Sequence, residues 1–209
     1  MVAQVITSTI SGIDSYKIIV EVDFVQSIPS VVIVGLPDTA ISEAKERVRS
    51  AIKNSGYHFP NQKVVVNLAP ADLKKVGTNY DLPIAMGILA RDGIIDEELI
   101  KNTAFLGELS LDGSLRAVNG VLPIVSGLKE LEIKQVVVPK ENAKEAALVP
   151  NIKVLSAETL RDVVCHFGVN REEKKELEVC EVDIEDYLNE YTTTQYEFDF
   201  KDIKGQIKA

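Results

Sequence analysis

The chain has 209 residues, 45% of them hydrophobic, with 23 basic and 32 acidic side chains and a formal net charge of −9. That length holds one large or two small domains, and the composition is that of a globular protein. No run of eighteen apolar residues occurs, no basic-then-apolar leader opens the chain, and its two cysteines lack metal-ligand spacing, which together predict a cytoplasmic protein without membrane span, disulfide or metal.

Residues 2–10 mix apolar and hydroxyl side chains in rough alternation, the pattern of a half-buried strand. Turn chemistry at 12–15 and renewed alternation at 16–24 predict an antiparallel hairpin. Residues 31–34 are apolar throughout, which predicts a central third strand. Asp38 then caps a helix whose Ile41, Ala44, Val48, Ala51 and Ile52 share one face. Glu43, Lys45, Glu46, Arg47 and Arg49 are read as its solvated side, with an interaction surface as the other reading. Gly56 ends the helix as a left-handed residue.

Residues 62–90 organise the rest. A β-branched strand at 63–68 leads into a loop, 69–80, that carries Pro70, Lys74, Lys75 and Gly77. Asp81 stands at an N-cap position and Pro83 in the first turn. The helix at 82–90 has hardly any polar side chain, so both faces are buried and its positive end points into the 74–80 loop. That geometry suits an active site or an anion site.

A connection with one helical turn follows at 92–101. Residues 103–109 and 113–117 form a second hairpin across 110–112. A helix at 121–131 turns Val121, Leu122, Ile124, Val125 and Leu128 inward. A strand at 135–139, a short helix at 141–147 and a strand at 152–155 come next. Ser156 caps a last helix, 157–166, with Leu160, Val163 and Val164 facing the core. His58 and His166 lie far from any acidic cluster and are read as structural. From Gly168 the chain turns acidic, which marks 168–195 as a linker. Residues 196–209, with Tyr196, Phe198 and Phe200, look like the opening of another unit.

Several of these runs together resemble one family. They are Val34-Gly35-Leu36-Pro37-Asp38, Glu46-Arg47-Val48-Arg49, Asn54-Ser55-Gly56, Asn67-Leu68-Ala69-Pro70-Ala71-Asp72 and Asp81-Leu82-Pro83-Ile84-Ala85. Gly107-Glu108-Leu109, Leu111-Asp112-Gly113 and Arg116 continue the match, and it extends more weakly through 139–142 to the helix near Leu160. The pattern is similar to the N-terminal domain of Mg-chelatase-like AAA+ proteins, the ComM/YifB family. Phe200, Asp202, Gly205 and Gln206 are similar to the segment that opens the family's ATPase module.

The resemblance implies an α/β (α+β) fold, a mixed sheet with packed helices of the ribosomal S5 domain 2-like kind shared with the Lon proteolytic domain. It implies a Lon-like domain over 1–167, the acidic linker and the start of a truncated ATPase module at 196–209. It also implies a hexameric, ATP-driven parent associated with DNA branch migration in natural transformation. ATP and Mg2+ belong to the downstream module, since the chain holds no G-x-x-x-x-G-K-[ST] loop. No cofactor, porphyrin or metal is expected in this stretch.

A Lon-like Ser/Lys peptidase needs a nucleophilic hydroxyl and a lysine able to act as base. By the resemblance Asn79 stands at the serine position and Ile124 at the lysine position, so no catalytic residue is expected. A displaced pair, Thr78 with Lys74 or Lys75, is the enzymatic alternative, although loop lysines are expected to stay solvated and charged. Lys74, Lys75, Thr78 and Asn79 are the candidates for holding a phosphate or DNA backbone at the helix N-terminus. The sequence therefore reads as a non-catalytic accessory domain, with a degenerate peptidase and a DNA-binding module as alternatives, and with self, DNA or a protein as partner.

Overall fold

A computed structural model describes residues 2–11, 14–183 and 187. The first strand β1 (Ala3–Ser11) pairs antiparallel with β2 (Asp14–Val25), with Val5 opposite Val20. Next come β3 (Ser30–Val34), α1 (Thr39–Asn54), β4 (Lys63–Ala69) and α2 (Asp81–Arg91). A one-turn α3 (Glu97–Ile100) leads to β5 (Thr103–Phe105), β6 (Glu108–Leu109) and β7 (Leu115–Arg116). The chain continues with α4 (Val121–Glu130), β8 (Gln135–Pro139), α5 (Ala143–Ala147), β9 (Lys153–Ala157), α6 (Leu160–Phe167) and β10 (Glu178–Cys180).

Eight strands form one mixed sheet in the order β10-β9-β8-β5-β1-β2-β4-β3, and β6 with β7 makes a separate ribbon. The β1–β5, β5–β8, β8–β9 and β3–β4 pairs are parallel, and the others in the large sheet are antiparallel. Helices cover both faces. On one side α1, α2 and α6 pack on Val5, Ile18, Val20, Val22, Val137 and Leu155. On the other, α4 and α5 pack on Ile6, Val136, Val138 and Val154. The alternation of β8 explains this division: Val137 belongs to one core, and Val136 and Val138 to the other.

Helix α2 is buried along its length from Asp81 to Ala90, as its all-round apolar sequence requires. Gly87 lets it lie close on β2, where a Cβ would stand 2.6 Å from a Val22 methyl. Helix α1 buries the five residues its periodicity selects, and the Asp38 carboxylate accepts the Ile41 N–H at 2.9 Å.

Several expectations are corrected. Strand β3 is an edge strand, not a central one, and Val32 and Val34 are 37% and 43% exposed. The expected hairpin over 103–117 splits at Leu106 and Gly107: β5 joins the large sheet, and only β6 pairs with β7. Leu122 leaves the apolar stripe of α4 and is exposed. Ser156 lies inside β9, and α6 is capped by Thr159 in a reciprocal box with Asp162. Strand β10 comes from within the expected acidic linker and pairs with β9. His166 is structural, its Nδ1 accepting the Leu177 N–H at 3.0 Å. The turn at residues 12 and 13 and the segment 196–209 lie outside the described residues.

Candidate functional site

The loop from Pro70 to Tyr80 is stitched onto the turn that follows β3. Asp38 N–H donates to the Lys75 carbonyl at 3.2 Å, and Lys75 N–H to the Leu36 carbonyl at 3.3 Å. Asp38 serves twice: Oδ1 caps α1, and Oδ2 accepts the Gly77 N–H at 3.1 Å. The turn is possible because Gly35 takes φ +101° and because a Cβ there would stand 2.3 Å from the Leu68 carbonyl oxygen.

Beyond Gly77 the loop forms one wall of a cleft of about 290 Å³. Thr78 and Asn79 line it from the loop just before α2, Thr9 and Ile10 from β1, and Val118, Asn119 and Ile124 from the opposite wall. Asn79 is buried, its side-chain N–H donating to the Ser8 carbonyl at 3.1 Å, while its own carbonyl accepts the Gly107 N–H at 3.2 Å. The far wall is fixed by Asn142, which accepts the Val118 N–H at 2.9 Å and donates to the Val118 carbonyl at 3.0 Å. Behind the loop, burial pushes the Tyr80 phenol up to about 12, with Thr9 acting in the opposite sense.

The structure thus brings Asn79 and Ile124 to one cleft, with Thr78 beside them. It separates the two lysines. Lys74 is exposed, whereas Lys75 is wholly buried and donates to the Pro70 carbonyl. The expectation that both stay solvated is corrected for Lys75. Burial lowers its pKa, and Asp72 opposes that shift. Lys75 is not among the residues lining the cleft, so Thr78 has no lysine across it.

Asp81 is not the N-cap of α2. It lies in the first turn with its carboxylate buried, bound by Arg47 through Nε–Oδ2 at 2.7 Å and Nη2–Oδ1 at 3.0 Å, and by the Leu109 N–H at 3.1 Å. Burial raises the Asp81 carboxyl, against the lowering by Arg47 and Leu109. Arg47 therefore leaves the solvated side assigned to it. The first N–H groups of α2 are also engaged: Asp81 N–H meets the Thr78 carbonyl and Leu82 N–H the Gly107 carbonyl, and Pro83 has none. These two N–H groups at the helix end are taken by the protein's own acceptors.

Sequence reasoning missed Asp38 as a bridge, Asn142 as a clamp and Arg47–Asp81 as a tie. The one sequence signal for Asn142 was the extension of the family pattern through 139–142. Among the described residues no group of three or more His, Cys, Asp or Glu could hold a metal ion, and no helix is long and apolar enough to cross a membrane.

These features define a three-layer α/β domain with an uncharged cleft at the start of a buried central helix. The family model for subunit ChlI of Mg-chelatase matches residues 20–142, and the chain belongs to that family. It is 40% identical over 153 residues to competence protein ComM of Haemophilus influenzae, spanning 73% of this chain and 30% of that protein. It is 41% identical over 157 residues to the uncharacterized protein YifB of Escherichia coli, spanning 75% and 30%. A weaker similarity, 27% over 128 residues, links it to Lon protease 2 of Bacillus subtilis, spanning 60% of this chain and 22% of the protease. The Lon relationship agrees with the mixed sheet and packed helices. The chain spans about 30% of the length of its ComM and YifB relatives.

Proposed function

We propose that this chain is a non-catalytic N-terminal accessory domain of a ComM-type AAA+ ATPase of the cytoplasm. The whole protein in this reading is a hexameric motor that drives DNA branch migration in transformation or recombination. ATP and Mg2+ are bound by the part of the protein that the relatives have and this chain does not span. The domain contributes a rigid scaffold and contacts DNA or a protein partner.

One observation carries the non-catalytic reading. Of the nine residues lining the cleft, none ionises as a carboxylate, imidazole or amine. Acyl transfer from a threonine needs a base within hydrogen-bond reach, and the cleft offers none to Thr78. The buried Lys75 instead spends its ammonium on the Pro70 carbonyl. Kinship with a competence protein, by that relative's printed name, supports the assignment of process.

The test is a peptidase assay on the 209-residue chain with casein and fluorogenic peptides, together with labelling by a hydroxyl-reactive phosphonate. No hydrolysis and no adduct at Thr78 are expected. Turnover that disappears in Thr78→Val would overturn the reading in favour of a displaced Thr/Lys peptidase.

A further inference from the structure

We propose that β3 is a self-association edge, on which a second copy of this chain adds its own β3 antiparallel across a twofold axis. The contact goes beyond the accessory role above and does not rest on it, since a ring closes through unlike surfaces and this pairing joins like ones. The two ends of the large sheet are built differently. At one end β10 is three residues long, and Glu176, Glu178, Glu181 and Asp183 stand exposed on it or beside it. Charge of that kind keeps another strand away. At the other end β3 pairs with β4 through all five of its residues, and among the described residues no other hydrogen bond engages its backbone. Residues 25–36 carry no charged side chain, on a chain of net charge −9. Of the fourteen large hydrophobic side chains exposed among the described residues, five fall in that stretch: Val25, Ile28, Val32, Val34 and Leu36. This edge has none of the guards that the β10 edge has.

A row of backbone donors and acceptors is complementary to an extended strand. The strand's own sequence then selects a second β3. Antiparallel pairing centred on Val32 sets Ser30 against Val34 and Val31 against Ile33. Val31 and Ile33 pack against the core on the α1 side, so the exposed Val32 and Val34 meet their counterparts on the other face. Such β-branched cross-strand pairs are favourable, and no charged side chain within the pair faces another. Two chains that each carry −9 repel, and this neutral stretch is where they can meet. Pairing β3 with the β10 of a second copy would set valines beside acids and leave a free edge at each end, which is an open-ended array. Pairing like with like uses up both copies of the bare edge. Pro29 before the strand and Gly35 after it, at φ +101°, limit the edge to five residues, about 17 Å. A contact of that length is far smaller than a standard interface, so the dimer is weak and reversible.

The experiment is sedimentation equilibrium of the 209-residue chain, joined to residue-resolved amide exchange. The mean mass should rise from 23.0 kDa at about 5 µM towards twice that value at about 500 µM, the range a small interface calls for. Over the same range the outward amides of residues 30–34 should exchange about threefold or more slowly. Val32→Lys places two ammonium groups opposite each other at the twofold axis and should hold the mass at that of one chain throughout. Its thermal midpoint should stay within about 3 °C of the parent's, because Val32 is exposed in the single chain. Val32→Thr, uncharged and still β-branched, should associate as the parent does. So should Leu99→Lys, which charges an exposed leucine on α3. The proposal is overturned by a chain that stays single at about 500 µM, or by undiminished association of Val32→Lys. It is equally overturned if Leu99→Lys abolishes association, or if the β3 amides are protected at every concentration in a single chain, which would assign the edge to a segment of the same chain.

Discussion

Replacing Arg47 by alanine tests how the first and second helices are tied together. The guanidinium reaches from α1 to Asp81 through two bonds, at 2.7 and 3.0 Å, and also donates to the Ala40 carbonyl at 3.1 Å. The Asp81 side chain is 0% exposed and that of Arg47 22%. The two partners are therefore unequal when left alone. Without Arg47, a buried carboxylate keeps only the Leu109 N–H, a situation that costs about 3–5 kcal/mol. With Asp81→Asn, the guanidinium still touches water and a hydrogen-bonding amide remains, so the cost should be about 1–3 kcal/mol. At about 2–4 °C per kcal/mol for a domain of this size, Arg47→Ala should lower the melting midpoint by about 6–20 °C.

The pH dependence adds a second signature. Burial already raises the Asp81 carboxyl, and Arg47 is the principal group opposing it. Its removal lets the pKa climb further. A carboxyl whose folded pKa lies above its unfolded value, about 3.9, binds its proton more tightly in the folded state, so the folded state gains as pH falls through that range. The deficit of Arg47→Ala should therefore be largest near pH 7 and smaller near about pH 5. Urea unfolding of both variants at the two pH values decides the matter. If Arg47→Ala costs no more than Asp81→Asn at neutral pH, or its deficit is the same at both, the buried carboxylate is not the source of the cost.

Three further substitutions probe the site's supports. Gly35→Ala forces a side chain into φ +101° and onto the Leu68 carbonyl, and should cost at least about 2 kcal/mol in urea unfolding, where a loss under about 0.5 would contradict the backbone argument. Lys75→Met replaces a buried ammonium by a similar apolar shape and should leave stability at neutral pH unchanged or raised. Because burial lowers the pKa of Lys75, the unfolded chain holds that proton more tightly and the parent gains stability as pH rises through the folded pKa. Lys75→Met should lack that alkaline gain, and a neutral-pH loss above about 2 kcal/mol would show the ammonium to be a net tie. Thr159→Ala removes one half of a capping box and should cost about 1 kcal/mol, whereas Ser156→Ala should change little; the reverse order in thermal melts would return the cap to Ser156.

Local patterns were legible wherever one residue's neighbours in sequence decide its fate. The five core positions of α1 follow from periodicity and the burial of residues 82–90 of α2 from their apolar composition, and β8 matches the expected 135–139. What depends on partners far along the chain was not legible. An apolar run such as 31–34 reads as central, yet strand order is set by the crossover connections, and they leave β3 at the rim with two valines in water. Arg47 looked like one more charge on a solvated helix because Asp81, its partner, lies 34 residues away. Lys75 looked like its neighbour Lys74. The two diverge only because the 70–77 loop is folded onto the Leu36–Asp38 turn, which encloses one and leaves the other outside.

The same bonds hold the cleft in shape. Gly77 N–H is spent on Asp38, Asp81 N–H on Thr78, Leu82 N–H on Gly107, and the Asn79 side-chain N–H on Ser8. An oxyanion hole needs donors left free and aimed at a reacting atom. Here the N–H groups of Gly77, Asp81 and Leu82 close the framework instead. Helix α1 divides between its two sides: Arg47 turns in and braces the central helix, and Arg49 and Lys53 are exposed and form no ion pair among the described residues. One amphipathic segment thus carries a structural tie on one side and solvated charges of both signs on the other, according to which side of the helix each residue occupies.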